Sequence, residues 1–275
     1  MDLTPRRGLH AFVSPRGRVV LALVPFAVAA AIYLLASYWR HEDNPQDKLL
    51  PTLTQMVEAF VRLAFTADPQ TDQYLLWTDT LASLWRLAQG AVLAATTGLL
   101  LGLNLGLLPR LRALGGPFVT FVSMVPPLAI LPIIFIVFGV DELAKVMLIY
   151  IGLFPVITRD ITLAVERLPA EQITKALTLG ASTSAVIYRI IMPQVMPRLI
   201  DATRLSLGAG WLFLIAAEAI ASTDGLGYRI FLMRRYLAMD VILPYVVWIT
   251  MLGFLIDYAL RSWVVWRYPW AGKAS

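Results

Sequence analysis

Few side chains in this sequence could carry covalent or metal chemistry. Cysteine is absent, and both histidines, His10 and His41, lie outside the long apolar segments. This excludes a thiolate metal site, a cysteine nucleophile and a histidine metal centre between apolar helices. A G-x-x-x-x-G-K-[ST] phosphate loop is also missing, because the sole Gly-Lys pair, Gly272-Lys273, is followed by alanine and lacks the upstream glycine. We therefore expect no catalytic residue, no metal and no cofactor.

Ionisable residues inside apolar segments are the next candidates, because a charge in a membrane helix usually serves a function. Glu218 ends an otherwise uncharged stretch that begins at Leu205. It could line a pore, or it could anchor hydrogen bonds near one membrane surface. Asp201 and Arg204 are three residues apart, so we expect them to pair. For the same reason, Asp257 is expected to pair with an arginine one turn later, Arg261.

The elements that position these residues follow from composition. Of the 275 residues, 59% are hydrophobic and 15% are charged, whereas soluble domains carry about 25% charged residues. The sequence therefore predicts an all-α integral membrane protein. The net charge of +5 fits basic loops on the cytoplasmic side better than a nucleic-acid surface.

Uncharged runs long enough to cross a bilayer predict about six transmembrane helices. We expect them at 19–39, 87–109, 113–140, 143–163, 199–220 and 241–260. Pro126 and Pro127 are expected to bend the third span, since proline frees a carbonyl group and is tolerated where protein or water satisfies it. Small residues recur every four positions along the second span, from Gly90 to Gly106, which predicts close helix packing.

The chain divides into segments around these spans. Residues 52–64 predict an amphipathic helix that starts with a capping box formed by Thr52 and Gln55. It could lie on the membrane surface or pack on the spans. Lysine and arginine in the short loops place both termini in the cytoplasm. The expected segments are an N-terminal cytoplasmic tail (1–18), the first span (19–39), a periplasmic segment (40–80), a core of five spans (81–260) and a C-terminal cytoplasmic tail (261–275).

A loop at about 164–198 carries the strongest pattern. Pro169 suits a first helical turn, and Ile173, Ala176 and Leu177 then share one helical face. Gly180 follows as a residue able to end the helix in a left-handed conformation.

A second short helix follows this glycine. Ser182 can cap it, and Pro193 lies where the chain turns back towards the fifth span. A short helix held between two spans suits docking into a groove of a partner, although simple packing within the chain explains it equally well.

Residues 175–182 (KALTLGAS) and 190–193 (IIMP) resemble the EAA loop of ABC importer permeases. In that pattern, nine residues separate a glycine from I-x-L-P. Here Ile190 and Pro193 match, Met192 replaces leucine, and Thr174 and Lys175 fill the first two EAA positions, so the glutamate is missing. Three further segments resemble the nitrate/sulfonate/taurine group of these permeases, namely 123–132 (SMVPPLAILP), 216–218 (AAE) and 223–227 (TDGLG). A fourth segment, 234–240 (RRYLAMD), resembles a urea- or guanidine-associated branch.

This resemblance implies a type I importer permease similar to that of methionine importers, in a bacterial inner membrane. Two permeases, as a homodimer, would form the pore, with two ATPase subunits beneath and a periplasmic binding protein above. The residues implied in coupling to the ATPase are Glu171, Ile173, Lys175, Ala176, Leu177, Gly180, Ala181, Ser182 and Pro193. Those expected along the pathway are Pro126, Pro127 and Glu218.

Several solutes and one other class of protein stay open at this point. The solute is expected to be small and polar, such as nitrate, a sulfonate, taurine or bicarbonate, or else urea or guanidinium. A carboxylate at Glu218 would suit a cation, but the anion-transporting relatives share the AAE feature. The alternative class is a stand-alone secondary transporter, which would need inverted repeats or proton-relay residues, and neither is evident. A membrane enzyme lacks the necessary nucleophile and base.

Overall fold

The computed structural model describes residues 14–44, 47–69 and 71–271, and within them it is helical, without a strand. The tails predicted at 1–18 and 261–275 fall partly outside these residues, as do His10 and the Gly272-Lys273 pair. The helices are α1 (Pro15–Asp43), α2 (Leu53–Phe65), α3 (Leu75–Leu107), α4 (Pro109–Ser123), α5 (Leu131–Phe138), α6 (Glu142–Glu166), α7 (Ala170–Thr178), α8 (Thr183–Val186), α9 (Met192–Ala221), α10 (Leu226–Arg234) and α11 (Met239–Arg267).

Within the described residues, five helical segments are long and apolar enough to cross a membrane, and a bent pair makes six if it is one span. That pair corrects the predicted continuous third span over 113–140. Helix α4 ends at Ser123, and Pro127–Phe138 leaves it at an angle of 82°. Pro126 and Pro127 explain the break, since proline donates no hydrogen bond and its ring clashes with the preceding turn.

The centre of the bundle is the contact between α3 and α6, which run parallel. The glycine stripe of α3 lies directly against branched side chains of α6, so that a Cβ at Gly102 would lie 2.8 Å from the Cβ of Ile161. The stripe residues and their neighbours are Gly90 with Ile149, Gly98 with Ile157, Gly102 with Ile161, and Gly106 with Val165. The packing role predicted for this stripe is confirmed.

Helix α9 packs antiparallel on α6 and places its own residues over the same core. The ring of Phe213 covers Gly152, and Gly210 lies beside Leu153.

We call the end of the bundle that carries α7 and α8 the elbow end, and the opposite end, which carries α10, the network end. Helices α3 and α6 run from the network end to the elbow end, and α9 runs back.

Helix α1 lies outside this core. The apolar part of α1 buries nothing against the rest of the chain, and its last turns are held by the 47–51 segment. Tyr33 donates to the carbonyl oxygen of Pro51 (2.7 Å), Ser37 donates to that of Leu50 (3.0 Å), and Arg40 pairs with Asp47 (2.5 Å).

The predicted capping box of α2 is confirmed, since Thr52 and Gln55 bond each other's backbone N–H groups. One face of α2 packs on the spans, with the Phe60 ring against that of Trp248 and the Trp77 indole donating to the Ala64 carbonyl oxygen. Its other face stays exposed. The structure therefore supports the packing alternative for one face of α2, and the location on the membrane surface stays a prediction.

Candidate functional site

An open groove of about 540 Å³ lies between α6 and α9. Small and apolar side chains line its middle, and charged side chains line its elbow end. The lining residues are Ser123, Gly152, Leu153, Val156, Arg159, Asp160, Leu163, Arg198, Ala202, Leu205, Ser206 and Ala209. The groove is open along one side, so the single chain does not enclose this space.

The broken span borders this groove. Ser123, the last residue of α4, is part of the lining. Pro126 and Pro127 follow it at the bend, where Pro126 is exposed and Pro127 is half-buried. Irregular backbone at membrane depth occurs where it lines a cavity or is buried in protein. Pro126 and Pro127, which were expected along the pathway, thus lie at the bend three and four residues after a lining residue and are not themselves part of the lining.

The elbow end presents α7 away from the bundle. None of its side chains is buried, and Ile173 and Ala176 are the members that touch the core. Leu177 and Leu179 point outwards, and Leu179 is 88% exposed. The predicted apolar face is thus divided, with Ile173 and Ala176 directed inwards and Leu177 directed outwards.

Gly180 ends α7 with a φ of +83°, as predicted. The Ala181 N–H bonds the Ala176 carbonyl oxygen and the Gly180 N–H bonds that of Leu177, both at 3.0 Å. This pattern is a Schellman motif, which requires a left-handed residue. Ser182 then accepts a bond from the Ala185 N–H (3.2 Å), which confirms its predicted capping role. The turn is therefore fixed by local bonds rather than by packing.

A wider helical turn, Ile187–Ile191, joins α8 to α9. Bonds in this turn reach back five residues instead of four, and such turns often mark functional sites. Pro193 follows at the first turn of α9, where its missing N–H disturbs the regular ladder. The sequence predicted a bend at Pro193 but not this change of helix type.

Glu218 lies at the network end in a completely buried position. Its carboxylate oxygens lie 2.8 and 2.9 Å from the Ser83 hydroxyl group, and it accepts bonds from Arg86 (2.8 Å) and from the Gly227 N–H (2.8 Å). Of the two interpretations of Glu218 left open by the sequence, this geometry favours the hydrogen-bond anchor.

Arg86 is the centre of this cluster. Besides Glu218, its guanidinium group bonds both carboxylate oxygens of Glu142 (2.5 and 2.7 Å) and the carboxylate of Asp224. Lys145 joins the cluster through Glu142 (2.7 Å). We call Arg86, Glu142, Lys145, Glu218 and Asp224 the ion network. It connects α3, α6, α9 and the segment before α10.

The 223–227 segment is held in place by the same helix, α3. The Gly225 N–H donates to Asp79 (3.0 Å) and the Leu226 N–H donates to Ser83 (2.8 Å). Gly225 has a φ of +110°, and a Cβ there would lie 2.5 Å from a carboxylate oxygen of Glu218. The TDGLG motif thus has a structural reason for its glycine, which must pass close to a buried carboxylate.

Comparison with known proteins agrees with these features. Residues 94–268 match the family model described as "Binding-protein-dependent transport system inner membrane component". The chain belongs to this family. The match covers the last part of α3, the whole bent span and all helices from α6 to α11. The family region therefore contains the groove and every member of the ion network except Arg86.

Curated relatives of this permease family extend over most of the chain. The taurine transport system permease protein TauC of Escherichia coli is 34% identical over 82% of each chain. The bicarbonate transport system permease protein CmpB of Synechococcus elongatus is 32% identical over 72% of this chain and 70% of its own. The putative aliphatic sulfonates transport permease protein SsuC of Bacillus subtilis is 28% identical over 82% and 80%. These names match the group that the sequence motifs resemble.

Among solved structures, the fold matches that of the MetNI methionine ABC transporter in an inward-facing conformation. One such chain superposes with a TM-score of 0.56, at 20% identity, over 69% of this permease and 95% of that chain. The predicted all-α membrane fold, similar to the methionine importer permease, is confirmed. At this identity the likeness concerns the fold alone.

The remaining ionisable residues of this permease lie between α9 and α11. Asp201 and Arg204 pair as predicted, at 3.4 Å. The expected pairing of Asp257 with Arg261 is wrong, because Asp257 instead bonds Arg204 across the helix interface at 3.1 Å. Within the part of the chain that the structure describes, no group of three or more His, Asp or Glu residues could hold a metal ion.

Sequence reasoning missed Ser83 and Arg86, which bond Glu218, and Asp79, which bonds Arg229 and the Gly225 N–H. Asp79, Ser83 and Arg86 are spaced by four and three residues, so they share one face of α3, and all three are buried. That spacing was a usable signal at the start of an apolar helix. What the sequence lacked was the information that this face meets Glu218, which lies more than 130 residues away.

Proposed function

We propose that this permease is the membrane subunit of an ATP-driven importer, which conducts a small polar solute delivered by a periplasmic binding protein. Two copies would form the conduit, and two separate ATPase subunits would drive it. Family membership and the importer fold support this assignment. The absence of a phosphate loop from the sequence agrees with hydrolysis on another chain.

The groove between α6 and α9 is the proposed half of the pathway. Its open side needs a second wall, which a second copy related by a two-fold axis would supply. The bend at Pro126 and Pro127 supports this location, since discontinuous helices border transport sites in several membrane proteins.

One observation carries the proposed coupling to ATP hydrolysis, namely the exposed α7 with its fixed turn. The Schellman motif holds the helix end rigidly, and Leu177 and Leu179 project from it without contact to the core. Two exposed leucine side chains at the end of a short, rigid helix suit insertion into an apolar groove of a partner protein. The Gln172 and Gln194 side chains bond at 3.1 Å, which would transmit a movement of α7 to the start of α9.

The charged side chains of the groove indicate which charge the solute carries. Arg159 and Arg198 face it, whereas Glu218 is enclosed in the ion network at the far end. An oxyanion or a zwitterion is therefore favoured over guanidinium or urea. The names of the relatives, which transport taurine, bicarbonate and sulfonates, support the same class.

The elbow is tested by replacing Leu179 with aspartate. Because Leu179 is almost fully exposed, Leu179→Asp should fold normally and lose co-purification with the ATPase, since a charge would enter an apolar contact. Leu49→Asp, at an exposed leucine near the network end, is the matched control and should co-purify normally. Full recovery of the ATPase with Leu179→Asp would refute the coupling role of α7.

Orientation is tested by labelling single cysteines. Since the natural sequence has none, Thr178→Cys and Lys48→Cys each give one defined thiol. A membrane-impermeant maleimide added to intact cells whose outer membrane has been permeabilised should label Lys48→Cys and leave Thr178→Cys unlabelled. Labelling of Thr178→Cys under these conditions would place the elbow in the periplasm and contradict the proposal.

A further inference from the structure

The groove holds a set of charges that differs from the other charged clusters of the described residues. At the network end, Arg86, Lys145 and Arg229 each form an ion pair with at least one carboxylate. At the elbow end of the groove, Arg159, Asp160 and Arg198 provide two positive charges and one negative charge. Arg159 has no hydrogen-bond or ion-pair partner among the described residues. The groove therefore carries an excess positive charge.

The one ion pair in this trio is incomplete. Arg198 donates to one carboxylate oxygen of Asp160 at 2.6 Å. The other carboxylate oxygen of Asp160 is shielded from solvent and accepts no hydrogen bond from any residue that the structure describes. Buried polar atoms are nearly always satisfied, so an unsatisfied carboxylate oxygen beside a cavity calls for a partner. An ammonium group would be a suitable one.

The location of the trio suits a transported solute. Asp160 lies six residues before the end of α6, and Arg198 lies six residues after the start of α9, so both are about 9 Å from the elbow ends of their helices. The side chain of Arg198 is 47% exposed and that of Asp160 is 23% exposed. A pair this open to solvent contributes little to stability, so a solute could separate it with little loss.

We infer that Arg159, Asp160 and Arg198 form a recognition site for a zwitterionic solute, which the arginines bind through its oxyanion and Asp160 binds through its ammonium group. The inference rests on the proposed function, because it takes the groove as the pathway. The planar guanidinium group matches a carboxylate or sulfonate with two parallel hydrogen bonds. Once the oxyanion has drawn Arg198 away, the Asp160 carboxylate would turn towards the groove and accept the ammonium N–H. The solute would thus replace the internal ion pair with two external ones.

Three probes of similar size separate the two halves of this site. They are 2-aminoethanesulfonate, which carries both charges, 2-hydroxyethanesulfonate, which lacks the ammonium group, and 2-aminoethanol, which lacks the oxyanion. Binding is measured with radiolabelled probes on the purified permease–ATPase complex without nucleotide and without binding protein. The zwitterion should bind about tenfold more tightly than either of the other two probes, as expected for one additional charge-assisted hydrogen bond.

Two substitutions then assign the roles. Asp160→Asn should abolish the preference for the zwitterion and leave binding of 2-hydroxyethanesulfonate unchanged. Arg198→Gln should weaken binding of both sulfonates at least tenfold. Arg198→Lys keeps the positive charge but loses the planar guanidinium group, so its affinities should lie between those of the unmodified permease and of Arg198→Gln. Arg110→Gln, at an exposed arginine of the elbow end outside the groove, is the matched control and should bind all probes normally. Thermal unfolding of each variant verifies that it is folded.

Several outcomes would overturn the inference. They are an equal loss of both sulfonates with Asp160→Asn, unchanged binding with Arg198→Gln, or no measurable binding of any probe to the unmodified complex. Because these measurements need no ATP and no binding protein, they do not depend on coupling. The Leu179→Asp experiment tests assembly with the ATPase, so failure of the recognition site and failure of the proposed function are distinguishable.

Discussion

The two ends of the helix bundle use charged and apolar residues in opposite ways. At the network end, Arg86 is surrounded by three carboxylates from α6, α9 and the segment before α10, and Glu218 is completely buried. At the elbow end, α7 buries no side chain and is shaped by its own backbone bonds. The helices are therefore tied to one another by buried ion pairs at the network end, whereas the elbow end exposes a helix to its surroundings.

This difference has a mechanical consequence. Under the proposed coupling, a force applied to α7 would meet little local packing, and the bond between Gln172 and Gln194 would carry it to the start of α9. The ion network holds α3, α6 and α9 together at the opposite end, so it would act as the fixed point about which the helices tilt. Rigid-body tilting about a packed region is a common form of conformational change in proteins.

The largest expected effect comes from breaking the fixed end with Arg86→Leu. The substitution leaves the buried Glu218 carboxylate without its counter-charge, which should cost about 3–5 kcal/mol. Thermal unfolding of the detergent-solubilised permease should then shift down by about 10 °C or more. Arg40→Leu removes the exposed partner of Asp47 and should shift the midpoint far less. Equal midpoints for the two variants would show that the network is not the fastened end.

A smaller loss of stability is expected from a substitution in the glycine stripe of α3, which runs between the network end and the elbow end. In Gly102→Ala, the new Cβ would lie 2.8 Å from both the Ile161 Cβ and the Thr158 carbonyl oxygen. Because the backbone must move, we expect a loss of about 1–3 kcal/mol, measured by the same unfolding assay. Gly208→Ala is the matched control, since nothing lies within 4 Å of its Cβ position. A loss in the control as large as in Gly102→Ala would contradict the packing role of the stripe.

At the elbow, Gly180→Val should change function more than stability. The backbone needs a φ of +83°, which costs a residue with a Cβ roughly 1–2 kcal/mol, while no neighbour lies within 4 Å. We expect a drop of a few degrees in the unfolding midpoint, well below that of Arg86→Leu, and a large drop in ATP-driven uptake by the reconstituted transporter. Gly180→Asn, which tolerates the left-handed conformation, should keep most of the uptake. Normal uptake with Gly180→Val would argue against a rigid turn as the coupling element.

Much of the elbow end, and the start of α2, could be predicted from the sequence because the interactions there are local. The left-handed Gly180, the cap at Ser182 and the capping box of α2 all follow from residues within a few positions of one another. The stripe from Gly90 to Gly106 was equally predictable as a packing surface, since helical periodicity puts its members on one face.

The network end could not be predicted in the same way. The bonds between Arg86 and Glu218 join residues 132 positions apart, and a single sequence does not show which helix faces meet. Asp257 illustrates the same limit, because the arginine one turn away was the natural choice and the true partner lies on another helix. The break of the third span was foreseen as a bend at Pro126 and Pro127, but its 82° angle depends on packing against α6 and α9.

The smallest expected effect concerns the periphery of the network end, where Asp47 holds the last turns of α1. The hydrogen bond from Arg40 lowers the pKa of Asp47 below its ordinary value of 3.8. A carboxyl group with a lowered pKa in the folded state stabilises the fold at pH values above its ordinary pKa, and this contribution disappears as the pH falls through the lowered value. Asp47→Asn should therefore reduce the unfolding midpoint slightly at pH 7, and the difference from the unmodified permease should vanish as the pH falls through the lowered pKa of Asp47. Because this pair fastens only α1, its loss should leave the core bundle intact, whereas the loss of Arg86 should not. A difference between Asp47→Asn and the unmodified chain that persists at low pH would show that shape, and not charge, holds the 47–51 segment against α1.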